Sequence, residues 1–219
     1  MITAFGLLMS LFGPLLIASV GSGDSVRCGG LPSEMLGLAA LMAIVACVLF
    51  IVLRCEHQPL LSLGLKPFRW SSMAWGIALA VFLMWVFAPA AYWTMKHPNL
   101  GGFETGLAKM ATLPDWYLVL AVVLGVTAEE ILYRGYAVER IAMLTGSYWI
   151  AGVGSVLIFG VAHVPMWGWG PALSTVVSGG VLTAFFIWRH DLTANVIAHV
   201  LTDFVGIVVV PLLARSKVA

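Results

Sequence analysis

Long apolar runs separated by short polar segments fill most of the 219-residue chain. A run of about twenty apolar residues crosses the hydrocarbon core of a bilayer as a helix, because lipid offers the backbone no other hydrogen-bond partner. We therefore predict an all-α bundle of seven to eight transmembrane helices, forming a single domain over residues 1–219. The pattern delimits seven runs: Met1–Val20, Met35–Leu53, Trp75–Trp93, Trp116–Tyr136, Tyr148–His163 with one further turn, Ala172–Trp188 and Leu192–Leu212.

Composition agrees with the pattern and narrows the class of protein. Hydrophobic residues make up 61% of the chain and charged residues 10%, and the mean hydropathy is +1.02. These values lie far outside the range of soluble domains and indicate an integral, multi-pass membrane protein. The net charge is +1 and no long basic run occurs, so we expect the lipid bilayer as a partner and no nucleic acid.

The N-terminal run and the cysteines carry little functional signal. No Lys or Arg precedes the apolar core of the first run, which favours a retained span over a cleaved signal peptide. Cys28, Cys47 and Cys55 have no metal-binding or redox spacing and are expected to be structural.

Positive charge in the connecting segments predicts the orientation. The segments placed in the cytoplasm carry Arg54, Lys66, Arg69 and Arg140. The loop Lys96–Lys109 then lies outside. The segment Lys96–Leu113 is expected to be a flexible connector or, alternatively, a substrate gate. The tail with Arg215 and Lys217 would lie on the same outer side. Because the tail is basic, it argues against this orientation.

Proline and glycine positions predict local features of the later helices. Pro165 should end the fifth helix shortly after His163. The glycines in Gly152–Gly154 and Gly179-Gly180 should let neighbouring helices approach closely.

Charged side chains in the fourth run are the first candidate for chemistry. Ionisable groups at membrane depth are costly unless they face a partner or a water cavity, so they indicate a functional site. Glu130 and Arg134 are four residues apart, which lets the carboxylate and the guanidinium meet on one helix face. Glu129 lies about 100° away around the helix without a local cation, and is a candidate general base.

Two further patterns add imidazoles and a third acid. Phe159 and His163 share one face near the end of the fifth helix, where Phe159 could exclude lipid or seat an apolar substrate side chain. Asn195, His199 and Asp203 recur every four residues in the last run, so this polar stripe must face inward. Asp203 can accept a hydrogen bond from His199 and fix its tautomer. Asn195 could equally belong to a hydrogen-bond ladder between helices.

Two hydrolytic chemistries fit these residues. In one, Glu129 assisted by His163 activates a water molecule, while His199 stabilises the oxyanion. In the other, zinc is bound by ligands drawn from His163, His199, Asp203 and Glu130, and Glu129 acts on its bound water. A proton- or ion-coupled transporter and a non-catalytic membrane scaffold remain alternatives.

The ordered motifs EEILYR, FGVAH and HVLTD resemble those of the CAAX-protease and bacteriocin-processing family, also called CPBP or Abi, which includes the type II CAAX prenyl endopeptidase. The resemblance covers roughly residues 116–210, which we take as the catalytic core. It implies an intramembrane endopeptidase of the glutamate type, in a helical bundle with a buried polar cavity, acting on a membrane-anchored protein or peptide. A prokaryotic plasma membrane is the expected location.

The resemblance also implies roles for individual residues. Glu129 and His163 would activate water, His199 and Asp203 would form the oxyanion side, and Glu130 and Arg134 would support the geometry. An ionised Asp203 cannot donate to an oxyanion, so we expect His199 to donate and Asp203 to orient it. Family members have been described both as metalloproteases and as metal-free enzymes; we expect no cofactor here, with zinc as the alternative.

Overall fold

The computed structural model describes residues 1–21, 30–96 and 102–216. Cys28 and Lys217 lie outside these residues, as does the 97–101 part of the segment Lys96–Leu113. Within the described residues every regular element is helical. In chain order these helices are α1 (Ile2–Gly21), α2 (Leu31–Phe50, continued by Ile51–Cys55), α3 (Trp70–Phe82, continued by Leu83–Phe87 and Ala88–Lys96), α4 (Glu104–Met110), α5 (Asp115–Glu129, continued by Glu130–Val138 and Glu139–Thr145), α6 (Tyr148–Trp167), α7 (Trp169–Arg189) and α8 (Leu192–Asp203, continued by Phe204–Val209 and Val210–Ser216), with a short 3₁₀ turn at Leu60–Leu63.

Seven of these helices are long and apolar enough to cross a membrane, and α4 is the short exception. Each of the seven overlaps one of the runs delimited by the sequence, which confirms the prediction of a polytopic helical bundle. Chain direction alternates from one span to the next, so the ends of the helices collect at two opposite faces of the bundle. We call the face with the α2–α3, α5–α6 and α7–α8 connections face A, and the opposite face, which carries α4, face B.

Helix α5 is at the centre of the bundle. Half of its most apolar stretch is buried inside the protein, against 17% for α1, α2, α3 and α8. It packs against α1, α2, α6 and α8, while α3 pairs mainly with α8 and α6 with α7. The most charged span is therefore also the one best shielded from lipid, as the cost of burying charge requires.

Four spans contain wide π-helical turns, in which the backbone hydrogen bonds run from i to i+5. The π segments are Ile51–Cys55, Leu83–Phe87, Glu130–Val138 and Phe204–Val209. Glu129 is the last α-helical residue before the π segment of α5, and Asp203 holds the same position in α8. A wide turn changes the direction in which later side chains point, so the two acids lie where the helical register shifts.

Proline and glycine act partly as expected. Helix α6 continues through Pro165 to Trp167 and ends at Gly168, whose φ of 83° suits glycine, so the prediction that Pro165 ends this helix was wrong in detail. A proline inside a helix removes one N–H donor and crowds the carbonyl four residues earlier, and transmembrane helices tolerate this where neighbouring groups satisfy the freed backbone. A Cβ on Gly152 would lie 3.0 Å from Ile187, whereas Gly154 faces open space. Likewise, a Cβ on Gly179 would lie 3.0 Å from the ring of Phe159, whereas Gly180 faces open space.

Candidate active site

A cavity of about 1030 Å³ extends from the middle of the bundle to face B. All seven spans contribute to its wall, through residues within 14–18, 33–41, 83–92, 117–133, 159–167, 174–182 and 199–207, and α4 lines its outer part. Glu129, His163, His199 and Asp203 all line this cavity. The structure thus brings the four side chains from three separate spans to one space.

Glu129 and His163 lie next to each other in the wall of the cavity. Oε1 of Glu129 lies 3.8 Å from Nε2 of His163, and the two side chains are 24% and 20% exposed. Nδ1 of His163 lies 2.8 Å from the carbonyl oxygen of Phe159, which can only accept. Nδ1 therefore carries a proton, and in the neutral ring Nε2 is an acceptor. Two acceptors at this distance leave room for one bridging water that donates to both.

His199 is held by Glu130, and this differs from the expected arrangement. Nδ1 of His199 lies 2.8 Å from Oε1 of Glu130, whereas Nε2 lies 3.6 Å from Oδ2 of Asp203, beyond hydrogen-bond distance. The carboxylate that fixes the imidazole therefore comes from α5 and not from the residue one turn away in α8. Asp203 is one-third exposed, and solvent competes for it, whereas Glu130 is fully buried.

Glu130 and Arg134 form the predicted ion pair. Nη1 of Arg134 donates to Oε1 of Glu130 over 2.9 Å, and the two side chains are 1% and 0% exposed. Arg134 also donates from Nε to Oγ1 of Thr183 and from Nη2 to the carbonyl of Gly179. These bonds distribute one buried charge over two helices, which lowers the cost of burying it.

Asn195 completes the polar network around Glu130. Its Nδ2 donates to Oε2 of Glu130 over 3.2 Å and to the carbonyl oxygen of Leu182 over 2.9 Å. Asn195 is fully buried and makes contacts to α5 and α7 from α8. The interhelical hydrogen-bond ladder that the sequence allowed for this residue is present.

Phe159 packs inside the site. Its ring is 1% exposed and lies 4.3 Å from the guanidinium carbon of Arg134, in cation–π geometry. The ring also contacts Tyr133 and His163 edge to face, at centroid distances of 5.0 and 4.6 Å. Phe159 therefore stiffens the wall between the Glu130 network and His163 and shields the buried charge from lipid.

The zinc ligand set suggested by the sequence does not match the arrangement of these side chains. Both oxygens of Glu130 are engaged by Arg134, His199 and Asn195, and Nδ1 of His199 is engaged by Glu130. Across residues 1–21, 30–96 and 102–216, no three His, Cys, Asp or Glu side chains are grouped so that they could hold one metal ion.

Three residues of the site were not identified from the sequence. Thr183 and Gly179 support Arg134 from α7, and Tyr133 lines the cavity one turn after Glu129. Tyr133 shares a helix face with Glu129, which was a usable signal. Gly179 was expected to allow close helix packing, but its bond to Arg134 and that of Thr183 depend on how α7 meets α5, which no local pattern indicates.

A seven-span bundle with acids and imidazoles grouped around a cavity at membrane depth defines a polytopic membrane protein with an intramembrane polar site. Residues 111–205 match the family described as Type II CAAX prenyl endopeptidase Rce1-like. This match confirms the resemblance that the three motifs carry, and it includes Glu129, His163, His199 and Asp203. It supports a membrane-embedded protease that acts on a peptide substrate. No curated protein and no solved structure gives a significant match to the chain.

Proposed function

We propose that the protein is an intramembrane endopeptidase of the glutamate type, in which Glu129 and His163 activate a water molecule. The observation that carries this proposal is the pair of acceptors 3.8 Å apart at the cavity wall. A water held by both presents its oxygen lone pair to a carbonyl carbon in the cavity, and Glu129 takes a proton as the C–O bond forms. The proton then passes to the leaving amine as the C–N bond breaks.

His199 and Asp203 form the opposite side of the site in this proposal. A doubly protonated His199 donates from Nδ1 to Glu130 and from Nε2 into the cavity, where a carbonyl oxygen gains negative charge. Glu130 acts as the positioning residue, since its hydrogen bond fixes the direction of the ring. Asp203, 3.6 Å from Nε2, lies beside the position where the oxyanion is expected.

The cavity supports a membrane-anchored protein or peptide as substrate. A peptide that reaches Glu129 must enter the cavity at face B. It then passes along the apolar wall of the cavity, to which all seven spans contribute. A segment that leaves the bilayer at this face, in extended form, can place a carbonyl between Glu129 and His199. The match to the CAAX endopeptidase family supports the same class of substrate.

Glu129→Gln is the decisive variant, because an amide cannot accept the proton. Cells that carry either protein are compared by mapping new protein termini in the membrane fraction. We expect cleavage products with the wild-type protein and a loss of about a hundredfold or more with the variant. Glu104→Gln is the matched control, since Glu104 also lines the cavity but is exposed and has no proposed role. Unchanged products with Glu129→Gln would overturn the proposal.

A second experiment tests the choice between a metal-free and a zinc-dependent mechanism. The purified protein is treated with a chelator, and its metal content and its cleavage of an identified substrate are measured together. Full activity without bound metal supports the water-activation scheme above. Loss of activity that zinc restores would instead favour the zinc-dependent alternative.

A further inference from the structure

Three cations without a carboxylate partner lie on face A, near the end of α7 and the start of α3. Among the described residues, no Asp or Glu lies within ion-pair distance of Lys66, Arg69 or Arg189. The Arg134, Arg140 and Lys109 side chains, by contrast, each pair with a glutamate. No described carboxylate therefore forms an ion pair with these cations; Asp191, two residues after Arg189, instead accepts hydrogen bonds from Ser72 and from the N–H of Ala194.

Arg189 lies between two indole rings. Its guanidinium carbon lies 4.9 Å from the ring centroid of Trp75 and 5.4 Å from that of Trp188, and the two rings meet edge to face at 5.3 Å. The Nε atom of Arg189 is buried and has no hydrogen-bond acceptor among the described residues. A fixed guanidinium with an unsatisfied N–H is a group that an anion stabilises, since buried polar groups are normally paired.

Lys66 is held beside Arg189 by the backbone. Its Nζ donates to the carbonyl oxygen of Arg189 over 2.9 Å, which leaves two ammonium N–H groups for another acceptor. The loop that carries Lys66 is fixed in turn, because the N–H of Leu192 donates to the carbonyl of Gly64 over 2.9 Å. The position of Lys66 relative to Arg189 is therefore fixed by hydrogen bonds to the backbone as well as by side-chain packing.

The surroundings indicate where the anion comes from. Trp70, Trp75 and Trp188 lie at the ends of α3 and α7 and are 77%, 41% and 63% exposed. Indole rings at helix ends mark the headgroup level of a bilayer, and basic pockets at this level bind anionic headgroups. We propose that Lys66 and Arg189 form a site for the phosphate of one anionic phospholipid, with the exposed indole rings against its acyl chains. This site lies on the face opposite the cavity entrance, and the proposal does not depend on protease activity.

Native mass spectrometry of the full chain in neutral detergent tests the site. Phosphatidylglycerol and phosphatidylcholine with identical acyl chains are added to the wild-type protein and to Arg189→Gln, Lys66→Gln and Arg54→Gln. Arg54→Gln is the matched control, because Arg54 is an exposed cation of the same face without a described carboxylate partner. We expect one bound phosphatidylglycerol, no comparable binding of phosphatidylcholine, about fivefold weaker binding for each site variant, and no change for the control.

Three results would overturn the proposal. Equal binding of the two lipids would remove the role of the anionic charge, and an equal loss with Arg54→Gln would mean diffuse attraction to face A. Displacement of the lipid by inorganic phosphate, with phosphate itself retained, would assign the site to a soluble anion. If Arg189→Gln does not fold, the comparison of Lys66→Gln with Arg54→Gln decides the question.

Discussion

The imidazole of His199 donates from Nδ1 to Oε1 of Glu130 over 2.8 Å, which joins the last span to the central one at the depth of the cavity. The same oxygen accepts from Arg134, so the position of the ring depends on a charge that is itself fixed. Glu130 consequently has two separable effects, one on the direction of His199 and one on the stability of the bundle.

Activity should depend more strongly on Glu130 than on Asp203. Glu130→Gln weakens the bond that orients His199, whereas Asp203→Asn replaces a group that lies 3.6 Å from the ring and keeps a polar side chain there. On the proposed function, we expect Glu130→Gln to lower kcat at least tenfold more than Asp203→Asn. Cleavage of an identified substrate in vesicles measures both. A larger loss with Asp203→Asn would restore Asp203 as the orienting residue.

Stability should respond to the same substitution. Glu130→Gln leaves the guanidinium of Arg134 buried without a carboxylate, and breaking such a pair costs about 3–5 kcal/mol. The double variant Glu130→Gln/Arg134→Met removes the unpaired charge and should recover part of this loss. Equilibrium unfolding in mixed micelles measures the free energy of unfolding.

The control for this prediction is Glu139→Gln. Glu139 pairs with His190, whose side chain is 40% exposed, so the loss should be about 1 kcal/mol or less. Equal losses for Glu130→Gln and Glu139→Gln would contradict the view that burial makes the Glu130–Arg134 pair critical.

The spans could be predicted from the sequence because membrane burial imposes a simple length and polarity rule on each helix separately. The Glu130–Arg134 pair and the shared face of Phe159 and His163 were predictable for a similar reason, since both contacts lie within one helical turn. The Glu130–Arg134 contact is present although both residues lie in the π-helical segment of α5.

The partner of His199 could not be predicted in this way. Asp203 is one turn away in the sequence pattern, but Glu130 reaches the ring because α5 and α8 pack together at that depth. The contacts of Arg134 with Thr183 and Gly179 likewise depend on the distance between α5 and α7. The periodicity of a helix indicates which of its faces points inward. It does not indicate which side chains of the other helices that face will contact.

Gly106 should control the position of α4 over the cavity. A Cβ at this residue would overlap the indole ring of Trp167, at the end of the helix that carries His163. Gly106→Ala should therefore displace α4 and speed hydrogen–deuterium exchange across Glu104–Met110. Gly154→Ala is the control, because no atom lies within 4 Å of the added Cβ. Unchanged exchange in both variants would argue that α4 is not held by Trp167.

Single cysteines should report the orientation of the bundle. Ser71 and Ser33 are exposed and lie at faces A and B, so Ser71→Cys and Ser33→Cys should be reached from opposite sides of the membrane. In a background with the native cysteines replaced by serine, an impermeant maleimide applied to intact cells should label Ser33→Cys and leave Ser71→Cys unlabelled. The reverse pattern would place face B in the cytoplasm, and labelling of both would contradict the odd number of spans between them.

The placement of Glu130 and Arg134 on one helix also bears on how the protein enters the membrane. Residues one turn apart emerge from the ribosome almost together and can neutralise each other as soon as that helix forms. Glu130 and Arg134 can then leave the insertion machinery already paired, before the helix that carries His199 has been synthesised. For this pair, no unmatched charge has to be held in lipid while the later helices are made.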